Sequence, residues 1–229
     1  MSVIEKRVRI FLVKFKNEIS FNEIPQYRGA VINSMKGEAE ILYHNHKGGD
    51  EYRYSYPLIQ YKRIHKKAAI FSIGEGVDAI GQFLSCQNFN LKLANRQMQL
   101  EIESVSPKTY VVQVWDSEFK YRIRNWLPLN TENYKKYIQL EAISDKVIFL
   151  EKILIGNILS FAKGMGIDIQ NEISCKMITI SEPKPIKAKD VKMMAFDAEF
   201  KTNISLPDYM GLGKHASLGF GTVVREYNK

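Results

Sequence analysis

From Arg7 to Phe15 (RVRIFLVKF) basic and apolar residues alternate, the period of two that marks a half-buried strand. Pro25 opens a helix running to about Lys36, with Tyr27, Val31 and Met35 at helical spacing, and Gly37 stops it. Ile41 to His46 reads as a short strand leading into a loop that holds Gly48 and Gly49. Leu58 to Arg63 and Ala68 to Ile73 are apolar, with Lys62, Arg63, Lys66 and Lys67 between or beside them, and predict a hairpin with a charged turn. Asp78 to Ser85 predicts a helix, and Gln97 to Ser106 alternates as a strand. The order strand, helix, strand, strand, helix, strand is that of a ferredoxin-like unit, two helices over one face of an antiparallel sheet.

A second set of elements starts near Pro107. Tyr110 to Trp115 and Phe119 to Leu127 are strand-like; Glu132 to Ala142 and Val147 to Lys163 are helical, the latter very apolar and stopped at Gly164 and Gly166. Glu172 to Ile180 and Val191 to Ile204 predict strands joined by a connector, Ser181 to Asp190, that holds Pro183, Pro185 and several lysines. A glycine-rich turn, Gly211 to Gly221, precedes a last strand, Thr222 to Tyr227. The fold class expected is α+β: two tandem ferredoxin-like (RRM-like) domains, residues 1–106 and 107–229, the second ending in the glycine-rich loop. No sequence identity between the halves is visible, so the repeat rests on element order.

Composition narrows the classes. The chain has 229 residues, 45% of them hydrophobic and 25% charged, the usage of an ordinary globular protein with enough length for a core. Lys and Arg number 33 against 25 Asp and Glu, a net charge of +8 that favours an anionic partner such as a nucleic acid. No stretch has the length and apolarity of a membrane span, and Met1 to Lys16 lacks the pattern of a signal peptide. Cys86 and Cys175 are far apart, outside any Cys-x-x-Cys pattern, so a reduced, cytoplasmic setting is expected.

Three groups of residues carry possible chemistry. His44 and His46 lie at i and i+2, and imidazoles near neutrality can supply a base and an acid together; the plain alternative is an exposed surface pair, and a metal site completed by Asp50, Glu51 or His65 is a weaker rival. Tyr52, Tyr54 and Tyr56, with Tyr61 and Arg53, can stack on bases or donate to a phosphate, or else form the packed face of a strand. Gly211, Gly213, Gly219 and Gly221, with Lys214 and His215 among them, allow the backbone to approach a phosphate or to pack closely; neither the Walker nor the dinucleotide pattern is present. No serine-nucleophile elbow, His-Glu-x-x-His motif or acidic cluster for two magnesium ions is visible. Lys120, Arg122 and Arg124 alternate along one strand, and Lys184, Lys187 and Lys189 crowd the connector; both sets are candidate contacts for a polyanion.

The segment GLGKHASLGFGTVV resembles the glycine-rich signature of the RAMP proteins of CRISPR systems, which also precedes the last strand. RGAVINSM, LYHNH and YPLIQYKRIHKKAAIFSIGEGVDAI are similar to the first half of one RAMP branch, the His-x-His endoribonuclease that processes CRISPR precursor RNA. The resemblance implies two ferredoxin-like domains with RNA in a basic cleft between them. It also implies metal-independent cleavage, with no cofactor, by attack of a ribose 2′-hydroxyl on the adjacent phosphate. His44 and His46 would then be base and acid, with a following tyrosine, Tyr52, Tyr54 or Tyr56, assisting. The implied partner is CRISPR repeat RNA; a homodimer and a CRISPR interference complex are compatible with it, a membrane is not. A non-catalytic RAMP subunit that holds guide RNA is the alternative.

Overall fold

The computed structural model describes residues 6–34, 56–85, 89–93, 96–188 and 191–227. The chain divides into two compact units, one of Arg7–Tyr110 with Ser217–Gly219, the other built on Val111–Ala216 and the chain from Phe220.

The N-terminal unit has strands β1 (Lys6–Glu18), β2 (Ile59–Ile64) and β3 (Lys67–Ile73), helices α1 (Ile24–Ser34) and α2 (Gly76–Ser85), a hairpin β4 (Asn90–Leu93) and β5 (Arg96–Gln99), and strand β6 (Ile102–Val112). The main sheet runs β2-β3-β1-β6, the ferredoxin order. Register explains why both helices lie on one face. Tyr61 is opposite Ile70, and Ile70 opposite Val13, so these share a face. Tyr27 of α1 meets Tyr61 edge-on, and Asp78 of α2 forms a bidentate pair with Arg9, two positions from Phe11 and four from Val13 on the same side of β1. Ile24, Val31, Ile80 and Phe83 complete that core. The hairpin turn between β2 and β3 is His65-Lys66, both at positive φ (48° and 70°), the backbone that a tight hairpin requires and that non-glycine residues rarely adopt. Ile19 N–H donates to the Lys66 carbonyl across it, 3.0 Å.

The C-terminal unit has β7 (Val114–Trp126), α3 (Thr131–Gln139), α4 (Ile143–Gly164), β8 (Cys175–Ile180), β9 (Lys184–Ala188), β10 (Val191–Ile204) and β11 (Thr222–Arg225). Its sheet runs β11-β7-β10-β8, with β9 added to β10. Taking β7, β8, β10 and β11 as counterparts of β1, β2, β3 and β6, the order is the same as in the first unit. The expected tandem of ferredoxin-like units is therefore present, as a shared topology. The core is Tyr121, Ile123, Trp126, Phe196 and Phe200 of the sheet under Leu150, Leu154, Ile158 and Phe161 of α4. Tyr121 stacks on Phe200, and Trp126 Nε1 donates to Asn157 Oδ1 at 3.0 Å.

Several expected elements differ. Gln97 to Ser106 is not one strand: β5 turns back on β4, and β6 starts only at Ile102. Tyr110 to Trp115 is not a separate strand either. β6 runs through Pro107 to Val112, β7 begins at Val114, and the chain passes from one sheet to the other at Gln113. Ser205 holds that crossing: its hydroxyl donates to the Val111 carbonyl (2.8 Å) and accepts from Trp115 Nε1 (3.0 Å). The connector Ser181 to Asp190 contains a strand, β9, because a sheet edge tolerates a proline such as Pro185 that lacks an N–H. Between β10 and β11, where the sequence predicts a glycine-rich turn and no helix, the chain from Ser205 to Gly221 holds a short 3-10 turn, Ala216–Leu218.

Candidate functional site

His44, His46, Tyr52 and Tyr54, with Asp50 and Glu51, lie outside the described residues. Just beyond them, Tyr56 is buried and its hydroxyl accepts from Gln60 Nε2 at 2.8 Å, which ties the end of that segment to β2. Two positions on, Lys62 is 1% exposed, and burial pushes its ammonium down to about 7. His65, the third candidate for a metal set, sits in the β2–β3 turn.

Lys120, Arg122 and Arg124 occupy alternate positions on β7, opposite in direction to the buried Tyr121 and Ile123. The stripe is what the alternation predicts, but it is not a bare cationic surface. Lys120 Nζ lies 2.9 Å from carboxylate oxygens of both Glu199 and Glu226. Arg122 pairs with the same two acids, Arg124 with Asp197 at 3.2 Å, and Lys184 of β9 with Asp197 at 2.9 Å. Register produces the interleaving: Glu199 of β10 is directly opposite Arg122. Hydrogen bonding from Lys120 holds the Glu199 carboxyl below its ordinary range, and Glu226 and Glu199 raise Lys120 in return. Partial burial pushes Asp197 up, but the Asn125 N–H, Lys184 and Arg124 outweigh it and keep it ionised. Between β7, β8 and β9 this stripe borders a cleft of about 400 Å³ lined by Arg122, Arg124, Thr179, Ser181, Lys184 and Asp197. Lys187 lies on β9 opposite Lys192, and Lys189 is outside the described residues. The acids were legible in the sequence: Asp197 and Glu199 have the same period of two as the cations they meet.

The glycine-rich segment is packed into the protein. Gly211 bridges to Thr222; Leu212 N–H donates to the Gly221 carbonyl (2.9 Å), Gly221 N–H to the Asn125 carbonyl (3.1 Å) and Lys214 N–H to the Leu127 carbonyl (3.1 Å). These amides are thus committed within the chain. Gly213 has φ +83°, and a Cβ there would press on the Trp126 indole at 2.9 Å. Gly221, at φ +60°, would clash with the Leu212 carbonyl. Gly219 belongs with the N-terminal unit, where its Cβ would meet Ile24 Cδ1 at 2.9 Å. His215 also has a positive φ, 55°, and its ring lies 6.1 Å from that of Phe220. Lys214 is the exposed side chain among them.

Cys175 is buried, with its thiol pushed up to about 12, so it is not a nucleophile at neutral pH. Among the described residues no helix is long and apolar enough to cross a membrane.

Comparison with known proteins reaches the whole chain. The Cas6b N-terminal domain family matches residues 6–111, and the Cas6b C-terminal domain family matches residues 113–226. An uncharacterized protein of Methanocaldococcus jannaschii, MJ0978, is 36% identical over 113 residues, 49% of this chain and 76% of the relative. A crystal structure of Cas6b superposes with a TM-score of 0.87 at 28% identity, over 96% of this chain and 100% of that one. A crystal structure of the CRISPR RNA processing endoribonuclease Cas6b gives 0.73 at 25% identity, with the same coverage of both chains. A RAMP protein binding different RNA substrates shares the fold alone, at 14% identity and a TM-score of 0.53 over 96% of this chain and 99% of that chain. With both of its halves matched, the chain belongs to the Cas6b family.

Proposed function

We propose that this chain is a CRISPR RNA-processing endoribonuclease that cuts precursor RNA within each repeat without a metal. The observation that carries this reading is the match of both Cas6b domain families across the chain, which disfavours a purely scaffolding RAMP subunit. Its place of work is the cytoplasm, and its partner is repeat RNA.

In the proposed reaction the ribose 2′-oxygen forms a bond to the adjacent phosphorus while the bond to the 5′-oxygen breaks. The products are a 2′,3′-cyclic phosphate and a 5′-hydroxyl. One histidine of His44 and His46 takes the 2′-hydroxyl proton, and the other delivers a proton to the leaving 5′-oxygen. Tyr52 or Tyr54 and a neighbouring cation stabilise the charge gathering on the phosphorane. Phosphates of the RNA are held by Lys120, Arg122, Arg124, Lys184, Lys187, Lys189 and the exposed Lys214. The glycines support the last of these by fixing the loop rather than through free amides.

The test is cleavage of the chain's own repeat RNA in excess EDTA. Wild type should cut, and a single 2′-deoxy substitution at the scissile position should stop cleavage while leaving binding intact. His44→Ala and His46→Ala should each slow cleavage by about 10²–10⁴-fold, with RNA affinity little changed. Wild-type rates in both variants, or activity lost in EDTA and restored by Mg²⁺ or Zn²⁺, would overturn the mechanism.

A further inference from the structure

At the end of β7 remote from Trp126, aromatic rings and one arginine form a cluster that the cleavage chemistry does not use. Register slips there: Phe119 pairs with Thr202 and Val114 with Ile204, so residues 115–118 bulge out of the β7–β10 ladder. A bulge re-aims side chains. Trp115 is 40% exposed, yet its indole N–H is held by the Ser205 hydroxyl, which fixes the ring without burying it. Phe119 meets Trp115 edge-on, 6.3 Å between centroids at 87°. The Arg225 guanidinium, from edge strand β11, lies between two rings, 4.4 Å from the Phe119 centroid and 5.1 Å from that of Tyr227, which is 70% exposed.

Arg225 differs from the cations of the β7 stripe. Lys120, Arg122, Arg124 and Lys184 are each paired with carboxylates. No carboxylate among the described residues pairs with the Arg225 guanidinium, which rests on π-faces instead. A phosphate therefore breaks no guanidinium–carboxylate pair there, although the Asp208 carboxylate accepts from the Arg225 backbone N–H at 2.6 Å. A planar, weakly hydrated cation beside exposed rings matches a nucleotide, whose base stacks on aromatic and guanidinium planes and whose phosphate takes the charge.

We propose that Trp115, Tyr227 and Arg225 form a stacking platform for an unpaired nucleotide of the RNA that this chain binds. The platform rests on the reading of the chain as an RNA-binding enzyme, and not on which residues perform the cut. A base stacks on Trp115 or Tyr227, and Arg225 holds its phosphate. The platform lies on the C-terminal unit alone.

The experiment uses the full chain with a fluorescein-labelled single-stranded uridine oligonucleotide and the same backbone made abasic. Wild type should bind the base-bearing strand more tightly. Trp115→Ala and Tyr227→Ala should each weaken that strand by about five-fold or more and leave the abasic one unchanged. Trp115→Phe should recover part of the loss, and Arg225→Ala should weaken both strands. Saturable quenching of tryptophan emission by the base-bearing strand should vanish in Trp115→Phe. Tyr227, being exposed, can be replaced without unfolding the protein, so the test survives if Trp115→Ala does not fold. For Trp115→Ala and Tyr227→Ala, equal loss for both strands, no loss, or a change in oligomeric state without a change in RNA affinity would overturn the platform; the last would make the patch a protein interface. Cleavage of repeat RNA by the wild-type preparation separates failure of the platform from failure of the nuclease reading.

Discussion

A methyl group at Gly221 would collide with the Leu212 carbonyl, in a backbone with φ +60° that L residues avoid. Gly221→Ala should therefore lower stability by well over the ~1 kcal/mol of an ordinary glycine substitution, read as a fall in Tm. At Gly219 the obstacle is the terminal methyl of Ile24 rather than a backbone carbonyl, so Gly219→Ala should cost less, chiefly the strain of φ +82°. Lys62 gives a pH test. Burial pushes its ammonium down to about 7 in the folded protein, from about 10.4 when unfolded. Between those values the unfolded chain binds the extra proton, so Lys62's contribution to stability rises with pH across that window. It is flat below the lower value and above the upper one. Urea midpoints at pH 7 and 9.5 should show the gap between Lys62→Met and wild type moving in favour of wild type as pH rises, by up to a few kcal/mol. A gap that does not move would mean that Lys62 is solvated.

At the scale of elements, the β7 cations form an interleaved lattice with Asp197, Glu199 and Glu226, so that under the proposed reading an RNA phosphate enters by exchange. The carboxylates weaken binding to any polyanion. Glu199→Gln combined with Glu226→Gln should raise affinity for RNA and steepen its fall with salt, by about one power of salt per cation released. Unchanged affinity and slope would place the RNA elsewhere on the unit. Much at this scale was legible from period and breakers: β1, the β2–β3 hairpin, α2, α4, and β10 from Val191 to Ile204. What escaped was pairing by residues that look like punctuation. β9 carries Pro185, and β5 is short enough to merge with β6 in a pattern scan. The absence of a helix between β10 and β11 was better marked, because the glycines there break any helical period.

At the scale of the whole molecule, Ser217–Gly219 comes from late in the chain yet completes the N-terminal unit. A fragment of residues 1–111 therefore lacks the segment that lies against Ile24 and Tyr61. It should bind a hydrophobic dye and melt earlier than the same unit within the full chain, with adding residues 217–219 in trans unable to restore it. A fragment as stable as the full chain would show that this segment contributes nothing.

The sequence alone determined what depends on local periodicity and residue chemistry: the α+β class, the tandem element order, the basic alternation on β7, the lack of a stretch with the length and apolarity of a membrane span, and the motifs that carry the resemblance to the His-x-His RAMP endoribonucleases. These are properties of neighbours in the chain, where side-chain direction follows from backbone period. The tertiary structure decided what depends on register between distant strands. It placed Glu199 against Arg122, turned the Gly221 and Lys214 amides of the glycine-rich loop inward onto the Asn125 and Leu127 carbonyls, and set Arg225 between Phe119 and Tyr227. A one-residue slip in strand pairing would exchange the faces and undo each of these contacts. Charge counted along the chain thus favours an anionic partner; only pairing across the sheet says which of the β7 cations already face carboxylates.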